Sequence, residues 1–193
     1  MNIGIFGGSF NPPHCGHLVI AESVREQARF DKILFIPSAT TPNKSYGSLA
    51  PAHDRLDMTL LAVQGNREFE VSDVEILRSG VSYTIDTIQE LSNRNPRDTF
   101  GLILGTDNLL EFQTWKSPQE IISRVQLVVV NRPGISREEF RTEISRHATF
   151  VNVPQIGISS TDIRRRIKLH RSIRYLVPQN VEEYIRQKGL YNE

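Results

Sequence analysis

The sequence is poor in cysteine and carries little net charge, and each shortage excludes a class of protein. Its single cysteine, Cys15, cannot form an internal disulfide, which excludes a disulfide framework and favours a reducing compartment such as the cytoplasm. The 23 Lys and Arg residues nearly balance the 22 Asp and Glu residues, so the net charge is +1. This balance favours neither a general nucleic-acid binder nor a membrane-surface binder.

Long apolar runs are also missing. No run approaches the roughly 20 apolar residues that a membrane-spanning helix needs, and no basic segment precedes an apolar one at the start, so we expect no signal peptide. No repeat, low-complexity segment or linker divides the 193 residues, which suffice for a sizeable core. We therefore expect one cytoplasmic domain, residues 1–193, with helices from about residue 159 onward packed against it.

What the sequence does contain is a regular alternation of predicted strands and helices. Short apolar runs at 3–6, 32–37, 99–104 and 125–130 predict buried strands, and the segments between them have helical spacing. Further predicted elements are a strand of alternating character at 69–76, a charged helix at 136–147, a strand at 149–153 and helices at 159–167 and 181–188. Strands that alternate with helices predict a doubly wound parallel sheet, a Rossmann-like fold with three α/β/α layers.

The most informative stretch follows the first predicted strand. Gly7 and Gly8 end that strand and let the backbone pass close to a ligand, and a helix is predicted to begin near Cys15. His14 and His17 are three residues apart, so both rings project from one side if the turn between them is helical. Because a helix N-terminus attracts anions, this arrangement predicts a phosphate site. A polar turn and a metal site are the alternatives, but no Cys cluster or Asp/Glu pair nearby completes a zinc site.

A second candidate anion site lies at 158–164, the sequence Ile-Ser-Ser-Thr-Asp-Ile-Arg. Ser159 and Asp162 fit a capping box at the start of a helix. Capping alone would account for Ser159, but it would not require Arg164, which lies one turn after Ser160 on the same face. The helix N-terminus, the hydroxyl and the guanidinium together predict a second phosphate cradle.

Both stretches resemble signatures of the nucleotidyltransferase superfamily. Residues 7–18, Gly-Gly-Ser-Phe-Asn-Pro-Pro-His-Cys-Gly-His-Leu, are similar to its G-G-x-F-x-P-x-H-x-G-H signature, and residues 158–164 are similar to its I-S-S-T-x-I-R motif. Shorter pieces resemble bacterial nicotinate-nucleotide adenylyltransferases: Ser82-Tyr83-Thr84, Gly105-x-Asp107, Trp115, Arg132-Pro133-Gly134, Tyr184-Ile185 and Gly189-Leu190-Tyr191. Thr41-Pro42-Asn43-Lys44 is similar to their P-P-H-K loop, although it lacks the first proline and the histidine.

The resemblance implies adenylyl transfer from ATP to nicotinate mononucleotide, with nicotinate adenine dinucleotide and pyrophosphate as products. The implied catalytic residues are His14, His17, Lys44 and Arg164. The implied ATP-binding residues are Gly7, Gly8, Ser9, Phe10, His17, Ile158, Ser159, Ser160 and Arg164. The implied nicotinate-nucleotide-binding residues are Ser82, Tyr83, Thr84, Gly105, Asp107, Trp115, Lys116 and Arg132.

Within that acceptor set, the resemblance implies that Trp115 stacks on the pyridine ring and that Thr84 helps to hold the nicotinate carboxylate. Asp107 would bind a ribose hydroxyl, and Arg132 an acceptor-side group. By residue type alone, a lone Trp is more often part of a core than a platform for a ligand. Mg²⁺ is expected to arrive with ATP rather than in a metal site of the protein.

Several alternatives stay open at this point. Another small-molecule adenylyl- or cytidylyltransferase, such as phosphopantetheine adenylyltransferase, shares the scaffold but tends to carry threonine at the position of His14. A nucleotide-sensing module on the same fold, and an RNA-binding relative of class I aminoacyl-tRNA synthetases, are the other two. The sequence leaves open nicotinate against nicotinamide mononucleotide, a homo-oligomer, and the role of residues 136–155.

Overall fold

A computed structural model describes residues 1–39, 49–130 and 144–192. Its centre is a six-stranded parallel sheet in the order β3-β2-β1-β4-β5-β6. The strands are β1 (Asn2–Gly8), β2 (Lys32–Pro37), β3 (Phe69–Val71), β4 (Thr99–Gly105), β5 (Gln126–Val130) and β6 (Ala148–Val151). The order reverses between β1 and β4, and ligands of doubly wound sheets bind at such a switch point, beyond the carboxyl ends of the strands. The predicted fold class is confirmed.

The helices cover both faces of the sheet. They are α1 (Cys15–Gln27), α2 (Ala52–Val63), α3 (Val74–Arg78), α4 (Thr84–Arg94), α5 (Thr106–Glu111), α6 (Pro118–Arg124), α7 (Ser160–Lys168) and α8 (Gln179–Lys188). Within the described residues, short 3₁₀ helices lie at Phe112–Thr114 and Ile144–His147. None of the helices in the described ranges is both long enough and apolar enough to cross a membrane.

The core is divided by the sheet because successive side chains of a strand point to opposite faces. In β4, Leu102 and Leu104 pack with α4, α5 and α6, whereas Ile103 packs on the opposite side with α1. A third apolar cluster joins α2, α7 and α8 through residues such as Met58, Ile163 and Ile185. This third cluster matters for the site, because it seats α7 beside the β1–α1 loop.

One predicted element is wrong in part. The strand expected at 69–76 ends at Val71, and Val74–Arg78 forms the short helix α3. Ser72 causes the change, because its hydroxyl oxygen accepts from the Val74 N–H at 3.3 Å and turns the chain. Asp73 then accepts the Leu77 N–H through its backbone carbonyl, which closes a helical turn.

The other predicted boundaries agree with the structure to within about two residues, the usual uncertainty of helix and strand ends. The strand expected at 149–153 is Ala148–Val151. Residues 136–143 of the expected charged helix lie outside the described residues, and its last four residues, Ile144–His147, form a 3₁₀ helix.

Candidate active site

The β1–α1 loop places the two histidines as a stacked pair. His14 is the extended N-cap residue of α1. Its backbone N–H donates to Nδ1 of His17 at 3.1 Å, and the His17 N–H donates to the His14 carbonyl at 2.9 Å. The two ring centroids are 3.6 Å apart, with 23° between the ring planes. Both imidazoles therefore project from one side of the first helical turn, as the three-residue spacing predicts.

The bond to Nδ1 determines which nitrogen of His17 carries hydrogen. A nitrogen that accepts an N–H cannot itself be protonated, so the hydrogen of the ring is on Nε2. His17 can therefore present an N–H donor from Nε2 while Nδ1 caps the helix. We infer that the capping bond orients this donor, as hydrogen bonds to the second nitrogen do for histidine ligands of metals.

His14 is held neutral by its surroundings. The side chain is only 6% exposed, and this burial lowers the pKa of His14 to about 4. Gly16 makes room for the ring, since a Cβ at that position would lie 3.0 Å from His14 Nδ1. At neutral pH His14 is thus an uncharged, tightly packed partner of His17 rather than a second cation.

The two predicted phosphate-binding stretches meet directly, although they are far apart in sequence. The Ser160 hydroxyl donates to the Pro12 carbonyl at 2.8 Å, and Arg164 Nη1 donates to the Asn11 carbonyl at 2.8 Å. Ser159 caps α7, because its Oγ accepts from the Asp162 N–H at 3.1 Å. The beginnings of α1 and α7 are therefore neighbours on one loop.

A buried arginine supports the same loop from below. Arg55, in the first turn of α2, is 2% exposed. Its guanidinium donates to three backbone carbonyls, those of Ser9 at 2.8 Å, Ala50 at 3.1 Å and Ala39 at 3.1 Å. Burial lowers the pKa of Arg55, yet arginine stays charged in proteins, so a positive charge lies behind the glycine-rich loop.

Residues predicted for the acceptor gather around the beginning of α4. Lys116 Nζ lies 2.9 Å and 3.1 Å from the two carboxylate oxygens of Asp86, and 4.7 Å from the centre of the Tyr83 ring. The next residue, Trp115, is half-buried and packs on Phe112 with ring centroids 5.2 Å apart. The Lys116–Asp86 contact joins 115–116 to the first turn of α4, where Thr84 is the first helical residue.

A buried carboxyl lies under that turn. Glu75 accepts from the Thr87 hydroxyl at 2.9 Å, and Thr87 in turn accepts from Arg78 Nη2 at 2.8 Å. Burial is the main influence on Glu75 and raises its pKa, against the lowering effects of Thr87, Ser82 and Arg78. The predicted residue Ser82 lies beside this carboxyl, although its buried hydroxyl makes no well-formed hydrogen bond to a described atom.

The remaining predicted residues lie at the same edge of the sheet or outside the description. Gly105 ends β4, and the exposed Asp107 follows in the first turn of α5, next to the end of β1. Lys44 and Arg132 lie outside the described residues. Among residues 1–39, 49–130 and 144–192, no group of three or more His, Cys, Asp or Glu side chains could hold a metal ion.

Comparison with known proteins decides the family. The family model described as cytidylyltransferase-like matches residues 5–166. A Salinibacter ruber protein is 44% identical over 191 residues, covering 99% of this chain and 98% of the relative. A Thermus thermophilus protein is also 44% identical over 191 residues, covering 99% and 100%. Both carry the name "probable nicotinate-nucleotide adenylyltransferase". This chain belongs to the nicotinate-nucleotide adenylyltransferase family.

Solved structures show that the adenylyltransferase fold extends over the whole chain. A Plasmodium falciparum nicotinic acid mononucleotide adenylyltransferase complexed with NaAD superposes with a TM-score of 0.82 at 20% identity, covering 99% of this chain and 97% of that chain. The same Plasmodium falciparum enzyme complexed with APC gives a TM-score of 0.79 at 19% identity, with the same coverage. The relatives at 44% identity confirm the family that the sequence motifs and the shorter pieces predict.

Three residues of this candidate site were not predicted from the sequence: Asn11, Arg55 and Tyr191 as supports of the loop. Asn11 is 2% exposed, and its Oδ1 accepts from the Tyr191 hydroxyl at 2.8 Å and from the Ala50 N–H at 3.0 Å. Asn11 and Tyr191 lie inside the quoted motifs, but no spacing rule connects them. An arginine near a helix start is usually exposed, so sequence alone gave no signal for Arg55.

Proposed function

We propose that this chain transfers the adenylyl group of ATP to nicotinate mononucleotide, giving nicotinate adenine dinucleotide and pyrophosphate, a step of NAD biosynthesis. The observation that carries the proposal is the meeting of the α1 and α7 beginnings at one loop, through Ser160 and Arg164. Relatives at 44% identity that bear this enzyme name support it. The free Cys15 supports a place in the reducing cytoplasm.

The ATP side of the proposed site is the loop between β1 and α1 together with the beginning of α7. Gly7 faces open space there, since a Cβ built on it would meet no described atom within 4 Å. The proposed ATP-binding residues are Gly7, Gly8, Ser9, Phe10, His17, Ile158, Ser159, Ser160 and Arg164. Two helix N-termini and a guanidinium suit a triphosphate, which needs positive charge and N–H donors from more than one direction.

In the proposed reaction, a phosphate oxygen of the mononucleotide attacks the α-phosphorus of ATP. The new O–P bond forms as the bond to the bridging oxygen breaks, and pyrophosphate departs with the electron pair. The acceptor phosphate is already largely ionised at neutral pH, because the second pKa of a phosphate monoester is about 6. No general base is needed, so catalysis consists of alignment and charge neutralisation.

His17 and Arg164 supply that neutralisation in the proposal. The Nε2–H of His17 donates to an α-phosphate oxygen, and its donation strengthens as negative charge grows in the transition state. His14 contributes as the neutral ring that keeps His17 in place. Lys44 keeps the catalytic role that the family resemblance implies. Mg²⁺ enters as part of the MgATP substrate and neutralises triphosphate charge.

The acceptor side is the beginning of α4 with the 115–116 turn. We assign Thr84 and the N-terminus of α4 to the nicotinate carboxylate, because helix N-termini attract anions. Trp115 has one face packed on Phe112, and its other side is assigned to the pyridine ring. The full acceptor set is Ser82, Tyr83, Thr84, Gly105, Asp107, Trp115, Lys116 and Arg132.

Steady-state release of pyrophosphate tests the proposal. The purified chain is given MgATP with nicotinate mononucleotide, nicotinamide mononucleotide or 4′-phosphopantetheine in parallel. We expect turnover with the mononucleotides, with nicotinate mononucleotide preferred because of the carboxylate site. Turnover confined to phosphopantetheine would reassign the substrate, and none with any acceptor would reject an enzymatic role.

A further inference from the structure

Tyr191 touches the proposed ATP loop although it lies in the segment after α8. Its hydroxyl donates to Oδ1 of Asn11 at 2.8 Å. The same Oδ1 accepts the Ala50 N–H at 3.0 Å, and because a backbone N–H can only donate, the oxygen of the amide must face it. Both lone pairs of Oδ1 are thus used, and the Asn11 side chain is held in one orientation.

The backbone of Asn11 is the point at which α7 joins the loop. Its carbonyl accepts from Arg164 Nη1 at 2.8 Å, and the neighbouring Pro12 carbonyl accepts from Ser160. A rotation at Asn11 would move both carbonyls, together with the two residues that we assign to ATP. The Tyr191 hydroxyl therefore binds the side chain of Asn11, the residue whose carbonyl binds Arg164 and so joins the two halves of the proposed ATP site.

The ring and the hydroxyl of Tyr191 have separable roles. The ring is half-buried and packs on the apolar cluster of α2, α7 and α8, a contact that phenylalanine could make equally well. The backbone has φ of 67°, in the left-handed region that most residues avoid. Such a conformation persists where surrounding contacts hold it, and the directed contacts of this side chain are those of its hydroxyl with Asn11. Burial raises the pKa of Tyr191, so the phenol keeps its proton and remains a donor.

We propose that Tyr191 is a positioning residue for the ATP site: its hydroxyl fixes Asn11, and thereby the loop to which Ser160 and Arg164 are bonded. The proposal rests on the proposed function in one respect, the assignment of this loop to ATP. If Tyr191 has this role, the segment after α8 helps to position the nucleotide site in addition to packing on the apolar cluster of α2, α7 and α8.

Tyr191→Phe is the test, because it removes one oxygen and keeps the ring. Tyr184→Phe is the matched control. Tyr184 lies on α8, and its hydroxyl is 2.8 Å from carboxylate oxygens of both Asp54 and Asp57 on α2. Each variant removes the hydroxyl of a tyrosine in or after α8, but Tyr184→Phe loses bonds to α2, whereas Tyr191→Phe loses a bond to the loop.

Two readouts distinguish positioning from general weakening. In steady-state assays, Tyr191→Phe should lower kcat/KM for ATP about tenfold, with KM for nicotinate mononucleotide changed less than about twofold. In calorimetric titration with MgATP alone, it should weaken binding by about the same factor. Tyr184→Phe should leave both values near those of the wild type, with a comparable shift in melting temperature.

The proposal is overturned if Tyr191→Phe binds MgATP as the wild type does. It is also overturned if both variants lose affinity equally, since stability would then explain the effect. A wild-type chain that binds MgATP but releases no pyrophosphate would contradict the proposed function alone, and the titration would still decide the role of Tyr191.

Discussion

Substitution of His17 should separate two functions of its ring, the capping of α1 and the proposed donation to the α-phosphate. Nδ1 accepts the His14 N–H and caps α1, whereas Nε2–H is the donor assigned to the α-phosphate. His17→Ala removes both functions. Loss of a donor aimed at developing charge typically lowers kcat by about 10²–10³, or roughly 3–4 kcal/mol. Loss of the cap should lower the free energy of unfolding by about 1–2 kcal/mol.

The companion variant His17→Asn restores only the capping of α1. The asparagine Oδ1 can take the place of Nδ1 and accept the His14 N–H, but the shorter side chain does not reach the position of Nε2. We therefore expect His17→Asn to recover most of the stability lost in His17→Ala, measured by urea unfolding, while kcat for pyrophosphate release stays low. Near-wild-type kcat in either variant would refute the reasoning, because the ring would then not act on the phosphate.

Three further predictions follow from the same contacts. Gly16→Ala places a Cβ 3.0 Å from His14 Nδ1, so the histidine pair should shift and kcat/KM should fall by about tenfold or more; unchanged kinetics would mean that the stacked pair tolerates displacement. Arg164→Met removes the hydrogen bond to the Asn11 carbonyl and a positive charge assigned to ATP. Calorimetry should therefore show MgATP binding about 10²-fold weaker, and affinity equal to that of the wild type would contradict the assignment. The pKa of His14 is lowered to about 4 from 6.5, so the unfolded state binds more protons than the folded state between these pH values. The free energy of unfolding should therefore fall as pH drops through that window, by roughly 3 kcal/mol at most. Urea midpoints of the wild type and His14→Gln at pH 7.5 and 4.5 measure this loss, and an equal pH dependence of the two proteins would contradict the burial of a neutral ring.

Local patterns predicted much of the fold and of the ligand loop. Apolar runs predicted four strands, and three-residue spacing predicted the common side of His14 and His17, because both features depend on backbone periodicity. The error at Val74–Arg78 arose where one side chain, Ser72, changed the backbone direction inside an alternating apolar and polar pattern. A hydroxyl that accepts from a backbone N–H two residues later leaves no periodic signal.

The supports of the site could not be predicted in the same way. Arg55 is buried because it binds three carbonyls from separate segments, and Tyr191 reaches Asn11 across most of the chain. These contacts depend on how α2, α7 and α8 pack together, which no local pattern encodes. Residue type and position in a motif point to a phosphate site, but the parts that hold its loop in shape emerge only from tertiary packing.

The central claim is that the beginnings of α1 and α7 bind one triphosphate together, and side-chain NMR during a MgATP titration tests it most directly. The ring signals of His17 and the guanidinium signals of Arg164 would be followed to saturation, assigned through His17→Asn and Arg164→Met. The account predicts that both sets shift with a single common Kd. Shifts at one residue only, or two different Kd values, would contradict it.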